Sequence, residues 1–209
     1  MTHGFDKDYW QRRWEQSPAG APGAMDGNPP NPYVIHETST LVPGTALDAG
    51  CGAGAEAIWL ATNGWRVTAA DLSSDALARA AGRAAGTPVQ WVEADLTEWQ
   101  PDRQFDLVMT NYAHPAMPQL AFYDRIAAWV APGGTLLIVG HRHSGPGPGP
   151  AHGHEPPAEA SVVLADIVAR LDGGSWTIET AEEHLRTITG PDGRSMPLSD
   201  VVVRATRRP

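Results

Sequence analysis

Short apolar segments alternate with segments of helical pattern along most of the chain. The predicted strands lie at 44–50, 65–71, 89–95, 105–111 and 135–141, and the predicted helices between them lie at 55–63, 73–86 and 120–130. Such alternation is typical of a mostly parallel sheet with helices on both faces. The pattern therefore predicts an α/β, doubly wound, Rossmann-like fold, in which ligands bind at the carboxyl ends of the strands.

Further elements are predicted on both sides of this alternating region. We predict a short helix at 6–16, an irregular connection at 17–33, a helix at 158–171 and two final strands at 176–182 and 200–206. The Gly/Pro stretch at 145–157 is incompatible with regular structure. No internal repeat is visible, and a length of 209 residues suits one ordinary domain, so residues 1–209 are expected to form a single domain.

Charge and composition narrow the class of partner. The net charge is −9, from 24 acidic and 15 basic residues, which disfavours nucleic acid and favours a small-molecule partner. No segment has the roughly 20 apolar residues that span a bilayer, and the N-terminus lacks a secretory apolar region. We therefore expect a cytoplasmic protein without a membrane partner. A single cysteine, Cys51, excludes an internal disulfide.

A glycine-rich stretch, LDAGCGAG at 47–54, follows the first predicted strand. Gly50, Gly52 and Gly54 would place backbone N–H groups and a helix N-terminus against a ligand. With Ala55 the stretch also fits the looser dinucleotide pattern, so the glycines alone leave a nicotinamide cofactor open. Asp48 separates the two readings, because a carboxylate here would repel a pyrophosphate and attract an ammonium group.

Two more acidic residues end the next two predicted strands. Asp71 can accept hydrogen bonds from ribose hydroxyls. Asp95, followed by Leu96, can accept from an adenine amine. Together with Asp48, these residues indicate a ligand that carries adenosine and an ammonium group.

Five segments now form a recognisable series. They are LDAGCGAG (47–54), TAADLS (68–73), VEADL (92–96), FDLVMTN (105–111) and APGGTLLIV (131–139). In order and spacing they resemble the class I S-adenosylmethionine-dependent methyltransferases over about residues 40–140, the expected cofactor-binding core. Size and the YWQRRW motif near the start give a further similarity to thiopurine and tellurite methyltransferases.

The resemblance implies a seven-stranded sheet with the last strand antiparallel, and S-adenosylmethionine as the cofactor. By position it implies that Gly50 and Gly52 line the methionine part, that Asp48 faces the amino group and that Asp71 holds the ribose. It also implies that Asp95 and Leu96 meet the adenine and that Asn111 lies beside the methyl group. Cys51, Gly54 and Leu72 complete the expected cofactor contacts.

The N-terminal segment 1–35 is a candidate lid. Tyr9, Trp10 and Trp14 fall within about one turn of the predicted helix. Tyr9 could touch the methionine end of the cofactor, and Trp14 could meet the sulfonium by cation–π attraction. Alternatively, these rings simply pack the helix on the domain.

Candidate catalytic residues follow the fourth strand. The sequence NYAHP at 111–115 departs from the [DN]PP[YF] motif of adenine and glutamine N-methyltransferases, so amino-group methylation of nucleic acid or protein is not supported. Tyr112 or His114 could orient an acceptor or take its proton. The alternative is a loop wall without chemistry.

Histidines form two HxH pairs near the fifth strand, His141/His143 and His152/His154. Zinc binds such ligands, but pairs on a Gly/Pro loop make a poor preformed site, and no metal is predicted. A mobile loop beside the acceptor pocket is the preferred interpretation. His141 is the best placed of the four for catalysis.

The expected function is in-line methyl transfer to a small molecule. No unmistakable base is present, which favours a thiol or another soft, acidic acceptor. O- or N-methylation of a small metabolite remains an alternative. So do a nicotinamide-dependent oxidoreductase and a non-catalytic cofactor-binding module. Cys51 reads as a small residue of the loop, since no activating base or cation lies near it in the sequence.

Overall fold

The computed structural model describes residues 5–17, 27–142, 161–171, 173–189 and 195–209. Its helices are α1 (Lys7–Gln16), α2 (Pro32–Thr38), α3 (Ala55–Thr62), α4 (Ser74–Ala84), α5 (Gln119–Ala127) and α6 (Leu164–Arg170). Its strands are β1 (Thr45–Ala49), β2 (Arg66–Asp71), β3 (Val89–Glu93), β4 (Phe105–Asn111), β5 (Val130–Arg142), β6 (Ser161–Val162), β7 (Trp176–Thr189) and β8 (Ser195–Arg207).

The strands form one mostly parallel sheet in the order β3-β2-β1-β4-β5-β8-β7, and the short β6 pairs with β5. The last strand, β8, runs antiparallel to both of its neighbours, β5 and β7. The predicted doubly wound sheet with its last strand antiparallel is therefore confirmed. The described residues add one two-residue strand, β6, to the seven expected.

Alternating residues of the central strands build two hydrophobic cores, one on each face of the sheet. On β4, Val108 belongs to the core covered by α5 and α6, whereas Leu107 and Met109 belong to the core that Val34 of α2 and Leu60 of α3 complete. Successive side chains of a strand point to opposite faces, so a buried parallel strand is apolar throughout. This explains why these strands read as continuous apolar runs.

Three predicted segments differ from the structure. The helix predicted at 158–171 is shorter, at Leu164–Arg170, and β6 occupies part of its predicted start. The last two strands are longer than predicted and form an extended hairpin. The irregular connection predicted at 17–33 ends two residues early, because Pro32 begins α2 and the Asn31 side chain caps it by accepting from the Tyr33 N–H at 2.9 Å.

This topology brings the carboxyl ends of the parallel strands to one edge of the sheet. Asp71 at the end of β2 pairs in register with Glu93 at the end of β3, and Asp48 lies one residue before the end of β1. The predicted site residues that follow these strands therefore share one rim. Within the described part of the chain, no helix is long and apolar enough to cross a membrane.

Candidate functional site

The glycine loop between β1 and α3 adopts a backbone that favours glycine at three positions. The φ angles of Gly50, Gly52 and Gly54 are +85°, +49° and +73°, all in the left-handed region. The amides of Gly50 and Cys51 both donate to the Ala70 carbonyl, at 2.8 and 3.0 Å. Gly54 is the N-cap of α3 and makes no side-chain cap hydrogen bond, and it lines the adjoining cavity together with Ala55 and Glu56.

Asp71 fixes the loop from the end of the neighbouring strand. Its Oδ2 accepts from the Gly52 N–H at 2.8 Å, and its Oδ1 accepts from the Ser73 N–H at 2.9 Å. Burial raises the pKa of this carboxyl group, and the hydrogen bonds from the main chain partly oppose that rise. The carboxylate is thus held in one orientation at the cavity wall.

Asp48 is the most unusual carboxylate of the site. It is only 1% exposed, and its Oδ2 has no hydrogen-bond partner. Burial raises its pKa well above the ordinary value, and the nearby charges of Glu56 and Asp71 raise it further. A buried, unsatisfied carboxylate oxygen beside a ligand-sized cavity fits an ammonium group of a ligand.

Glu56, in the first turn of α3, was not singled out from the sequence. Its Oε1 accepts from the Asn31 main-chain N–H and from the Asn111 side-chain amide, each at 3.0 Å. The Asn31 side chain in turn donates to Asn111 Oδ1 at 3.0 Å. This triangle ties the entry to α2 and the end of β4 to the glycine loop. An acidic residue directly after the GxGxGA sequence of residues 50–55 was the available signal.

A cavity of about 300 Å³ lies above these residues. Most predicted site residues line it, namely Trp14, Asp48, Gly50, Cys51, Gly52, Gly54, Asp71, Leu72, Asp95, Leu96, Asn111, Tyr112 and His114. It is also lined by Trp10, which was predicted only as part of the lid helix, and by residues without a predicted role, among them Asn28, Pro29, Glu56, Arg83, Ala113 and Pro115. Two predicted residues, Tyr9 and His141, lie outside the lining.

Helix α1 lies across the mouth of this cavity. Trp14 is buried and packs over the glycine loop, so a Cβ placed on Gly52 would come within 3.3 Å of its ring. Arg79 of α4 stacks on the Trp14 ring at 5.5 Å and donates to the Trp14 carbonyl at 2.8 Å. At the other side, Trp10 Nε1 donates to the His114 carbonyl at 3.0 Å.

The position of Tyr9 differs from the one expected. Its ring packs edge-on against Phe5 and Trp10, with ring centres 5.4 and 5.2 Å away. This packing turns Tyr9 aside and brings Trp10 to the cavity instead. A helical stretch of aromatic residues does not reveal which of two successive rings faces inward, because that depends on how the helix is rotated.

Tyr112, His114 and His141 form a group of stacked rings after β4. Tyr112 has a left-handed φ of +55°, and its ring lies 4.4 Å from that of His141. His141 lies 5.6 Å from His114 and, on its other side, places Nδ1 3.8 Å from Asp200 Oδ1. His141 therefore supports Tyr112 and His114 but does not itself reach the cavity. His143, His152 and His154 fall outside the described residues.

His114 is the histidine at the cavity wall. Burial lowers its pKa to about 4, so the imidazole is neutral near pH 7. Its Nδ1 lies 3.3 Å from Gln119 Oε1. No cluster of three or more His, Cys, Asp or Glu suited to a metal ion occurs among the residues that the structure describes.

The remaining predicted residues have simple environments. Asp95 Oδ1 accepts from the Thr97 N–H and hydroxyl at 2.9 and 2.7 Å, which fixes this carboxylate at the cavity. Cys51 is 6% exposed, and burial together with the charges of Asp48 and Asp71 raises its thiol pKa well above the usual value. Cys51 is thus a neutral thiol in the wall, unlike a reactive cysteine.

Comparison with known proteins agrees with this geometry. Residues 46–134 match the methyltransferase domain family. An uncharacterised methyltransferase of Mycobacterium tuberculosis is 40% identical over 95 residues, 44% of this chain and 48% of that protein. The probable thiol methyltransferase 2 of Arabidopsis thaliana is 29% identical over 141 residues, 62% of this chain and 60% of that protein. The chain thus spans about half the length of the mycobacterial relative it matches.

The fold is also similar to that of solved methyltransferase structures. The N-methyltransferase NodS from Bradyrhizobium japonicum WM9, in complex with S-adenosyl-l-homocysteine, superposes with a TM-score of 0.65 at 18% identity. The superposition covers 95% of this chain and 98% of NodS. The unsatisfied Asp48 oxygen and the carboxylates at the next two strand ends fit the family's cofactor, S-adenosylmethionine. Residues 46–134 are therefore a methyltransferase domain, and this part of the chain has the features of the class I S-adenosylmethionine-dependent methyltransferases.

Proposed function

We propose that the protein transfers a methyl group from S-adenosylmethionine to a small, soft acceptor, with a thiol as the preferred class. The observation that carries the proposal is the buried Asp48 oxygen without a partner, at the start of a glycine loop and beside a cavity. A pyrophosphate cofactor would meet repulsion there. The ammonium group of S-adenosylmethionine would supply the missing charge and hydrogen bond.

Each end of the cofactor has a proposed set of contacts. Gly50, Cys51, Gly52 and Gly54 line the methionine part, and Asp48 faces its amino group. Asp71 and Leu72 hold the ribose, Asp95 and Leu96 meet the adenine, and Asn111 lies beside the methyl group. Glu56 keeps Asn111 in place through the 3.0 Å hydrogen bond already described.

The proposed acceptor end of the cavity is aromatic and uncharged. Trp10, Tyr112, neutral His114 and Pro115 line it, without a carboxylate to repel an acidic acceptor. A thiol suits such a wall, because it gives up a proton more readily than an alcohol does and neutral His114 lies there to accept that proton. One relative carries the name thiol methyltransferase, which supports the same class of acceptor.

The cofactor supplies an activated methyl group, so the protein's part is alignment and the exclusion of water. Trp10 and Trp14 cover the cavity, and their anchors on His114 and Arg79 hold α1 in the closed position. We propose that the N-terminal segment 1–35 is a lid and that His114 accepts the proton of the acceptor. Tyr112 orients the acceptor, and His141 supports both rings from behind.

Calorimetric titration with S-adenosylmethionine and S-adenosylhomocysteine tests the cofactor, and a panel of thiols, phenols and amines with mass detection of one added methylene tests the reaction. We expect micromolar binding and turnover on thiols. Binding without turnover on any acceptor would indicate a cofactor-binding module. Fluorescence of bound NADH, with no S-adenosylmethionine binding, would indicate the nicotinamide alternative.

A further inference from the structure

Gln119, the first residue of α5, is almost completely buried beside His114, and neither the sequence motifs nor the family match assign it a role. It is 5% exposed, and its side chain makes two contacts with the segment that follows β4. Its Nε2 donates to the Ala113 carbonyl at 2.9 Å. Its Oε1 lies 3.3 Å from His114 Nδ1.

The first contact fixes the orientation of the amide. A carbonyl oxygen can only accept, so the Gln119 atom that faces Ala113 O must be the nitrogen. Rotating the amide by 180° would bring two acceptor oxygens together at 2.9 Å and leave a buried carbonyl without its donor. The Gln119 oxygen is therefore the atom that faces His114.

The second contact then fixes the proton of the imidazole. Oε1 cannot donate, so His114 Nδ1 must carry the hydrogen of this contact. Because burial keeps the ring neutral near pH 7, only one ring nitrogen is protonated. The lone pair is consequently on Nε2, at the opposite edge of a ring that lines the cavity.

We infer that Gln119 is a positioning residue that holds His114 as the Nδ1–H tautomer and so leaves Nε2 to accept a proton from the methyl acceptor. The Nδ1–H tautomer does not depend on the proposed function. The role of Nε2 as proton acceptor rests on it. In the proposed step the S–H bond breaks, its proton moves to Nε2, and the electron pair stays on sulfur. That pair forms the bond to the methyl carbon as the carbon–sulfur bond of the sulfonium breaks toward the leaving thioether. The proton later passes to solvent.

The experiment is nitrogen NMR on the ligand-free protein labelled with ¹⁵N-histidine. Long-range proton–nitrogen correlations distinguish a protonated ring nitrogen from one that carries a lone pair, and the spectrum of His114→Gln assigns the His114 signals. We expect protonated Nδ1 and bare Nε2 in the wild type. Gln119→Met should move the equilibrium toward Nε2–H and lower kcat at least tenfold, with little change in the KM for S-adenosylmethionine.

Gln104→Met is the matched control, because Gln104 is exposed, donates to the Ala128 carbonyl and does not line the cavity. It should change neither the tautomer nor kcat. A wild-type His114 protonated on Nε2 would overturn the inference, and so would an unchanged tautomer in Gln119→Met. If Gln119→Met does not fold, the wild-type spectrum alone decides. Since the spectrum needs neither cofactor nor acceptor, a protein without methyl transfer would refute the proposed function and leave the tautomer result standing.

Discussion

The main-chain N–H of Gly52 donates to Asp71 Oδ2 across 2.8 Å, so the glycine loop and the end of β2 are held as one unit. Gly52 is at left-handed φ, and the same carboxylate also binds the first amide ahead of α4. The residue proposed to hold the ribose is therefore also the residue that shapes the loop for the methionine part. Its substitution should affect both.

Asp71→Asn should weaken S-adenosylhomocysteine binding more than tenfold. The amide can satisfy only one of the two main-chain donors with its oxygen, and leaving the other without a partner costs roughly 1–3 kcal/mol. Calorimetric titration measures the affinity. Asp102→Asn is the control, because the Asp102 side chain is 90% exposed. Wild-type affinity in Asp71→Asn would contradict the proposed contact.

Asp48 should make ligand-free stability and ligand binding respond to pH in opposite directions. The pKa of the Asp48 carboxyl group is raised in the folded state. Its contribution to folding stability therefore increases as the pH falls from above the raised pKa toward the ordinary pKa of 3.8. Cofactor affinity should fall over the same range as the carboxylate is protonated. We expect Asp48→Asn to be more stable than the wild type at pH 8 and to lose this advantage in acid.

Comparing the two proteins at each pH isolates this effect. His114 titrates in the opposite sense: with its folded pKa lowered to about 4, it removes stability as the pH falls below the ordinary 6.5. That contribution is shared by wild type and variant and cancels in their difference. A difference in melting temperature that stays constant between pH 5 and about 8 would argue against a raised Asp48 pKa.

Gly50→Ala should destabilise the protein by roughly 3 kcal/mol, from backbone strain and overlap together. Gly50 has φ +85°, and an added Cβ would lie 2.2 Å from the Ala113 Cβ. Gly82→Ala is the matched control: Gly82 lies within α4 with nothing within 4 Å of an added Cβ. Gly82→Ala should raise the free energy of unfolding by about 0.5–1 kcal/mol. Urea unfolding measures the free energy of unfolding of both variants. Equal values would contradict the close packing of Gly50 against Ala113.

Trp14→Ala should reduce the affinity for S-adenosylmethionine about tenfold, since the ring covers the glycine loop of the cavity and an aromatic ring attracts a cation. The loss should be smaller for S-adenosylhomocysteine, which lacks the sulfonium charge. Glu15→Ala, an exposed neighbour on the same helix, should bind both ligands normally. Equal losses of affinity for the two ligands would show that Trp14 covers the cavity without a cation–π interaction with the sulfonium.

Cys51 should resist thiol reagents in the folded protein. Its thiol is buried, and its pKa lies well above the ordinary value because of burial and the nearby carboxylates. As the chain's only cysteine, it can be followed by the colour yield of a disulfide reagent at pH 8. We expect slow reaction until denaturant is added. Fast labelling of native protein would show a reactive thiol, contrary to this account.

The strand-end acids could be predicted because their signals are local. Asp48, Asp71 and Asp95 each follow an apolar run directly, and parallel strands end at one edge of the sheet. The fold then brings all three to one cavity. No contact between distant segments had to be known in advance.

Residues held by distant contacts could not be predicted. Trp10 reaches the His114 carbonyl, 104 positions away, and Asn31 reaches Asn111, 80 positions away. Both contacts depend on how α1 and α2 pack on the finished sheet. His141 shows the converse: it lies one residue before the end of β5, but its ring stacks on that of Tyr112 and does not line the cavity.

The close approach of Gly50 to Ala113 has a thermodynamic consequence. Gly50 belongs to the loop proposed for the cofactor, and Ala113 lies between Tyr112 and His114, on the side proposed for the acceptor. Any shift of one segment displaces the other, since no space separates them. The two ligands should therefore bind cooperatively, and linkage requires that each change the other's affinity by the same factor.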